Sequence, residues 1–185
     1  MCMSVIIGEK VILREYQQAD IEYILNWVND PEITSTLGSS FIYPKTRNST
    51  EKFLNTIMDG KAEIRGFVIA DINTFEYIGQ IDLFDFDWYS RSVSLQIVIG
   101  RKKLHRKGYG SEALRLLRDF CFNTLNMNRI ELEVYSFNRA AYNCYVKCGF
   151  KEEGILREKV YRDGKYYDSV IMSILKSECL RSNYC

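Results

Sequence analysis

The chain has 185 residues, a length that fits one domain with a substantial core. Its 46% hydrophobic and 26% charged residues are those of an ordinary globular protein, and a net charge of +1 excludes a global pull toward nucleic acid or an acidic membrane. No apolar run reaches the ~18 to 20 residues of a membrane helix, and Met1-Cys2-Met3-Ser4 lacks the layout of a secretory signal, so the expectation is a cytoplasmic protein.

In chain order, Lys10-Val11-Ile12-Leu13-Arg14 reads as a first strand. Residues 18–28 have helical spacing (Ile21, Ile24, Leu25, Val28), with Asp20 near the start and Pro31 just past the end. A mostly polar stretch over 35–46, with Pro44, reads as a loop, and a second helix begins at Thr50-Glu51-Lys52-Phe53-Leu54 and ends near Gly60. Residues 66–70, 77–86 and 92–99 read as strands of an antiparallel meander. Residues 109–126 carry one apolar stripe (Ala113, Leu114, Leu117, Cys121, Leu125), the mark of a long amphipathic helix. Residues 129–136 then alternate, with Ile130, Leu132 and Val134 inward. Strand, helix and strand over this length form a βαβ unit, so its two strands should be parallel. Asn138 should cap a short helix that Gly149 ends, and strands over 154–161 and 166–175 should form a hairpin around Asp163-Gly164. The expected class is α+β: a mixed, mainly antiparallel twisted sheet with a central parallel βαβ unit and helices on both faces.

The cysteines at 2, 121, 144, 148, 179 and 185 read as reduced thiols. Cys144 and Cys148 share a helix face, but His105 is the only histidine and no second Cys pair has zinc spacing, so no metal is expected. Cys179 and Cys185 are expected to be exposed in a polar tail.

The chemistry concentrates in His105-Arg106-Lys107-Gly108-Tyr109-Gly110-Ser111, a glycine turn that opens the long helix. Helix N-termini present unpaired N–H groups and a positive dipole end, which together cradle a phosphate or pyrophosphate. Gly108 and Gly110 permit close backbone approach, and Arg106 and Lys107 add positive charge. The turn has neither the Gly-x-x-x-x-Gly-Lys-Ser/Thr nor the Gly-x-Gly-x-x-Gly spacing of nucleotide folds.

His-Arg-Lys-Gly-Tyr-Gly, the downstream stretch Asn138-Arg139-Ala140-Ala141-Tyr142-Asn143-Cys144-Tyr145-Val146-Lys147-Cys148-Gly149-Phe150 and the closing hairpin together resemble the GNAT family of acetyl-CoA-dependent N-acetyltransferases. The hairpin is similar to that of the ribosomal-protein and spermidine acetyltransferase branches. The resemblance covers roughly residues 8–176 and implies one acetyltransferase domain over 1–185, with a short tail at 177–185. It implies that the backbone of Ile97, Val98 and Ile99 pairs with the pantetheine arm of acetyl-CoA. The stretch His105, Arg106, Lys107, Gly108, Tyr109, Gly110 and Ser111 would meet the pyrophosphate, Asn138 would bond the pantetheine, and Tyr145 would protonate the leaving thiolate. His105 stands where the family usually has Gln or Arg, and it is expected to act through its backbone rather than as a base.

The general base is the open position. Ser94 stands where the family often has a carboxylate, and Asp85 and Asp87, on one strand face by two-residue periodicity, are the alternatives for proton removal or amine attraction. Trp88 is a candidate for the acceptor pocket. The acceptor itself stays open among a polyamine, a protein N-terminus, an amino sugar, an amino acid and an amine antibiotic. The rival class is a non-catalytic acyl-CoA-binding module. The family resemblance also allows a homodimer.

Overall fold

The computed structural model describes residues 5–179, so Cys2, Cys185 and the end of the expected tail lie outside the described residues. Two compact units emerge: one runs to Phe84 and resumes over Gln96–Leu116, the other holds Asp85–Leu95 and the chain from Leu117 on.

In the first unit, β1 (Ile6–Ile7), β2 (Val11–Arg14), β3 (Arg65–Asp71), the start of β4 (Tyr77–Asp87) and the end of β5 (Ser92–Ile99) are neighbours in that order. Pairing from β1 through β4 is antiparallel. All four residues of β2 are buried: Val11, Ile12 and Leu13 as an apolar run, and Arg14 through its ion pair with Asp20 at 2.7 Å. Helix α1 (Ile21–Val28) buries Ile21, Ile24, Trp27 and Val28 along one stripe. These side chains join Ile12, Tyr16, Leu54, Val68 and Tyr77 in a single apolar cluster.

Two helix starts in this unit differ from the sequence reading. Pro31 does follow α1, but it also opens a short helix α2 (Pro31–Thr34), where Asp30 accepts from the Glu32 N–H at 3.0 Å. A proline at the first helical position loses no bond, because that N–H is unpaired anyway. The next helix, α3 (Arg47–Met58), starts ahead of Thr50 because Thr46 caps it, accepting from the Ser49 N–H at 3.1 Å. Its polar first turn hid the start.

The helix that follows β5, α4 (Tyr109–Asn123), leads into β6 (Arg129–Tyr135). In the second unit β5 and β6 are parallel, with Ser94 opposite Glu131, as the βαβ spacing requires. Next come α5 (Arg139–Lys147), β7 (Lys151–Arg162), β8 (Lys165–Leu175) and α6 (Lys176–Cys179), with strand order β5-β6-β8-β7. Asp163 and Gly164 both have positive φ, 50° and 78°, which is the two-residue turn expected of Asp-Gly. Asn138 caps α5 by accepting from the Ala141 N–H at 3.2 Å, and Gly149, at φ +96°, ends that helical run.

The expected exposure of Cys179 is corrected. It is buried, because α6 forms a helical turn in which Glu178 accepts from the Leu175 N–H at 3.0 Å and pairs with Lys151 at 2.5 Å. Cys121, Cys148 and Cys179 are buried, and Cys144 is half-buried.

Candidate active site

The glycine turn sits at the start of α4, with two residues in left-handed backbone, Arg106 at φ 61° and Gly108 at φ 92°. Such alternation turns successive N–H groups toward one side and makes an anion-binding concavity. Gly110 is not required by the protein's own packing. A Cβ there would meet Ile99 and Ile97 side chains at 3.7 to 3.9 Å, which is ordinary contact. His105 Nε2 lies 2.8 Å from the Ile99 carbonyl oxygen. A carbonyl only accepts, so Nε2 carries the hydrogen, and the imidazole ties the turn to the end of β5. Lys10 adds a cation, its Nζ lying 3.7 Å from where a Cβ on Gly108 would stand.

A buried carboxylate anchors the first turn of α4. Glu112 Oε1 accepts from the N–H groups of Glu9, Lys10 and Val11 at 2.6, 2.8 and 3.3 Å. Gly8 makes room for it: a Cβ there would come within 2.9 Å of Leu116 Cδ1 and of the Val11 carbonyl oxygen, and closer still to Glu112. The turn is thus fixed at both ends, to β5 by His105 and to the β1–β2 connection by Glu112.

Beside Ile97 and Val98 lies a partly open cavity of about 40 Å³, more than the ~10 to 15 Å³ that one water needs. Its apolar wall is Trp27, Leu37, Phe41, Ile97 and Val98, and its polar wall is Gln80, Asp82 and Gln96. Asp82 is 1% exposed. Tyr16 donates to its Oδ1 at 2.5 Å, and Gln80 and Gln96 donate to its Oδ2 at 3.1 and 3.4 Å. Burial pushes this carboxyl up to about 6, against the hydrogen bonds from Tyr16, Gln80 and Gln96 that favour the anion. On β3 the register partner is Gly66, where a Cβ would stand 2.8 Å from the Ile81 carbonyl oxygen and nearer yet to Asp82.

The residues singled out in the sequence fall in different places. Ile97 and Val98 line the cavity, and Ile99 and residues 105–111 form the adjoining strand end and turn. Asp85, Asp87 and Trp88 are not among the cavity's lining residues. Asp87 accepts from the N–H groups of Tyr89 and Ser90 at 2.9 and 2.8 Å, which holds its carboxyl low and closes the turn after β4. Asp85 has a left-handed φ of 51°, and Trp88 is exposed, stacked on Phe86 at 5.1 Å. In the second unit, Tyr145 is buried against the edge of Phe150, and burial pushes its phenol well above the usual range. Asn138 spends Oδ1 on the α5 cap, so its amide N–H groups are what remain for a ligand.

Sequence reasoning missed Tyr16, Gln80, Asp82, Gln96 and Glu112. A signal existed for Asp82: polar Gln80 and Asp82 alternate inside an otherwise apolar run, where a carboxylate has no solvated alternative.

The glycine turn and the end of β5 thus adjoin a cavity with one apolar and one acidic wall. Residues 10–151 match the acetyltransferase (GNAT) domain family, and the chain belongs to that family of acetyl-CoA-dependent N-acetyltransferases. It is 31% identical to a spermidine N(1)-acetyltransferase of Vibrio cholerae, over 94% of this chain and 97% of that protein. It is 27% identical to the N-acetyltransferase p20 of Bacillus licheniformis, over 95% and 98%. The Vibrio cholerae spermidine N-acetyltransferase in complex with CoA and spermine superposes with a TM-score of 0.81 at 28% identity, covering 94% of this chain and 99% of that one. A Bacillus anthracis GNAT acetyltransferase at 21% identity, with the same TM-score of 0.81 and coverage of 94% and 99%, shares the fold.

Proposed function

We propose that this acetyltransferase acetylates a primary amine of a polyamine by direct attack in a ternary complex, as a single domain over 1–185 working in the cytoplasm. The observation that carries the reading is the cavity beside Ile97 and Val98, apolar on one wall and anionic on the other, which suits an alkylammonium. The spermidine-acetylating relative from Vibrio cholerae supports the same acceptor class. No nucleic-acid or membrane partner enters the reading, and among the described residues no helix is long and apolar enough to cross a membrane.

In this reading the backbone of Ile97, Val98 and Ile99 aligns the pantetheine arm, and residues 105–111 hold the pyrophosphate with Arg106 and Lys107 adding charge. A backbone N–H of that strand steadies the oxyanion. The Asn138 amide bonds the pantetheine, and Tyr145 gives its proton to the leaving thiolate. Burial keeps the Tyr145 phenol protonated at neutral pH, so the residue starts as a donor, and the same upward shift makes it a weaker acid toward the thiolate.

Magnitudes rank the two proton transfers. An amine with a lysine-like pKa of ~10.4 costs about 4.6 kcal/mol to deprotonate at pH 7, whereas expelling the sulfur as an unprotonated thiolate of pKa ~8.5 costs roughly 2 kcal/mol. Removing the amine proton is the larger task.

A thiol-release assay over a panel of amines tests the acceptor. Spermidine or spermine at millimolar concentration should release CoA. Turnover confined to N-terminal peptides, amino sugars or amino acids would reassign it.

A further inference from the structure

The polar stretch over 35–46 does more than join α2 to α3. Its Leu37 and Phe41 form part of the apolar wall of the cavity beside Ile97 and Val98. The Phe41 ring packs against Trp27, with centroids 5.9 Å apart, and the Lys45 ammonium lies over the same ring, 5.6 Å from its centroid. That is within the ~6 Å over which an aromatic face attracts a cation. The chain thus sets one of its own primary alkylamines against a wall of the cavity that receives an acceptor amine.

The backbone of Lys45 is pinned on both sides. Asn29, just past α1, accepts from the Lys45 N–H at 2.8 Å and donates its amide N–H to the Lys45 carbonyl oxygen at 2.8 Å. The next residue, Thr46, caps α3. Lys45 is therefore tied to the end of the helix that gives Trp27 to the cavity wall.

Its ammonium is held differently from those of other lysines. Lys61 pairs with Asp59 at 2.9 Å, Lys102 with Asp30 and Glu32 at 2.7 Å each, and Lys159 with Glu133 at 2.7 Å. Lys176 donates to the Phe122 carbonyl oxygen at 2.7 Å. Each of these is fixed by a directed, charge-assisted hydrogen bond. Lys45 has no hydrogen bond or ion pair at Nζ among the described residues, so its amine can leave the ring without breaking one.

We propose that Lys45 is acetylated by its own chain: its Nζ moves from the Phe41 face into the cavity and takes the acetyl group of bound acetyl-CoA. This rests on the acetyltransferase reading and adds a substrate to it. The ammonium first loses one proton to solvent. Its lone pair then forms the N–C bond to the acetyl carbon, and the C–S bond breaks with its electron pair left on sulfur. The second proton lost from nitrogen ends on the thiol, so the sum is acetyl-lysine, free CoA and one proton. A tethered amine is present at an effective concentration of roughly millimolar, so Lys45 competes on even terms with a free amine at that level.

The test incubates the full-length chain with acetyl-CoA and no added amine, and follows acetylation by intact-protein mass and peptide mapping. One acetyl group should appear on Lys45 at a first-order rate that does not depend on protein concentration, and millimolar spermidine should slow it. The urea-unfolded chain, which measures uncatalysed acylation, should be labelled at Lys45 at least ~10-fold more slowly. Lys45→Arg keeps a cation over Phe41 but has no amine to acylate, so it should lose the label with acetyl-CoA Kd within about twofold of wild type. No label on Lys45, a first-order rate constant that rises with protein concentration, or equal labelling of the unfolded chain overturns self-acetylation, while CoA release on added spermidine leaves the acetyltransferase reading standing. Absence of both the label and CoA release with any amine overturns that reading as well.

Discussion

Replacing Asp82 by Asn should change how the protein's stability depends on pH, with a sign opposite to that of an ordinary salt-bridged carboxylate. Burial raises this carboxyl from 3.8 to about 6, so between those values the folded state holds more protons than the unfolded state. Stability from this group is complete below about pH 4 and is lost as pH rises through about 6. A shift of about two units amounts to about 3 kcal/mol at pH 7, of which about 1.4 kcal/mol falls between pH 5 and pH 8. Other carboxylates run the opposite way. Glu153, for example, is held down to about 2 by Arg129 and Ser173, and it stays ionised throughout this window. Those groups are unchanged in the variant and cancel in the comparison. Urea unfolding of both proteins at pH 5 and pH 8 should show the variant gaining about 1.4 kcal/mol on wild type between the two, or about 3 to 5 °C in Tm for a chain of this size. Parallel curves would refute the buried, ionisable Asp82.

Three further outcomes follow from the same geometry. Gly66→Ala puts a Cβ against Asp82 and the Ile81 carbonyl; it should cost ~1 to 3 kcal/mol and displace the carboxylate, so amine kcat/KM drops while the acetyl-CoA Kd holds, as kinetics and calorimetry on one preparation can show. Glu112→Ala strips the acceptor from three N–H groups and frees the start of α4; it should lower stability by about 2 to 3 kcal/mol in denaturant titration and raise the KM for acetyl-CoA. Tyr145→Phe should cut turnover about 10²-fold and spare acetyl-CoA binding, and equal turnover would remove Tyr145 from the mechanism.

The elements legible in the sequence were those whose periodicity and punctuation agree. The strand over 92–99, the Asn138 cap and the Asp163-Gly164 turn each carry a local signal and each appear as read, while the α4 helix ends at Asn123, short of the expected residue 126, and leaves Leu125 outside its stripe. The start of α3 did not, because the polar residues Arg47 to Ser49 look like a loop until the Thr46 cap is seen. Two-residue periodicity also pointed to carboxylates on β4, but it marks a face and not its depth. Asp87 lies beside a turn and is used by that turn, whereas Asp82 lies within the apolar run and is buried. Gln80 shares its strand face with Asp82, but Tyr16 and Gln96 lie 66 and 14 positions away in the chain, so only the folded chain collects all three partners. Glu112 was invisible for the same reason, since its amide partners lie about a hundred positions away.

The most direct test of the acetyltransferase account is calorimetric titration of the purified protein with acetyl-CoA, with desulfo-CoA and ATP as comparisons. The turn at residues 105–111 and the strand end at 97–99 predict micromolar binding of acetyl-CoA and weak binding of ATP. No binding of acetyl-CoA, or equal binding of ATP, would contradict it.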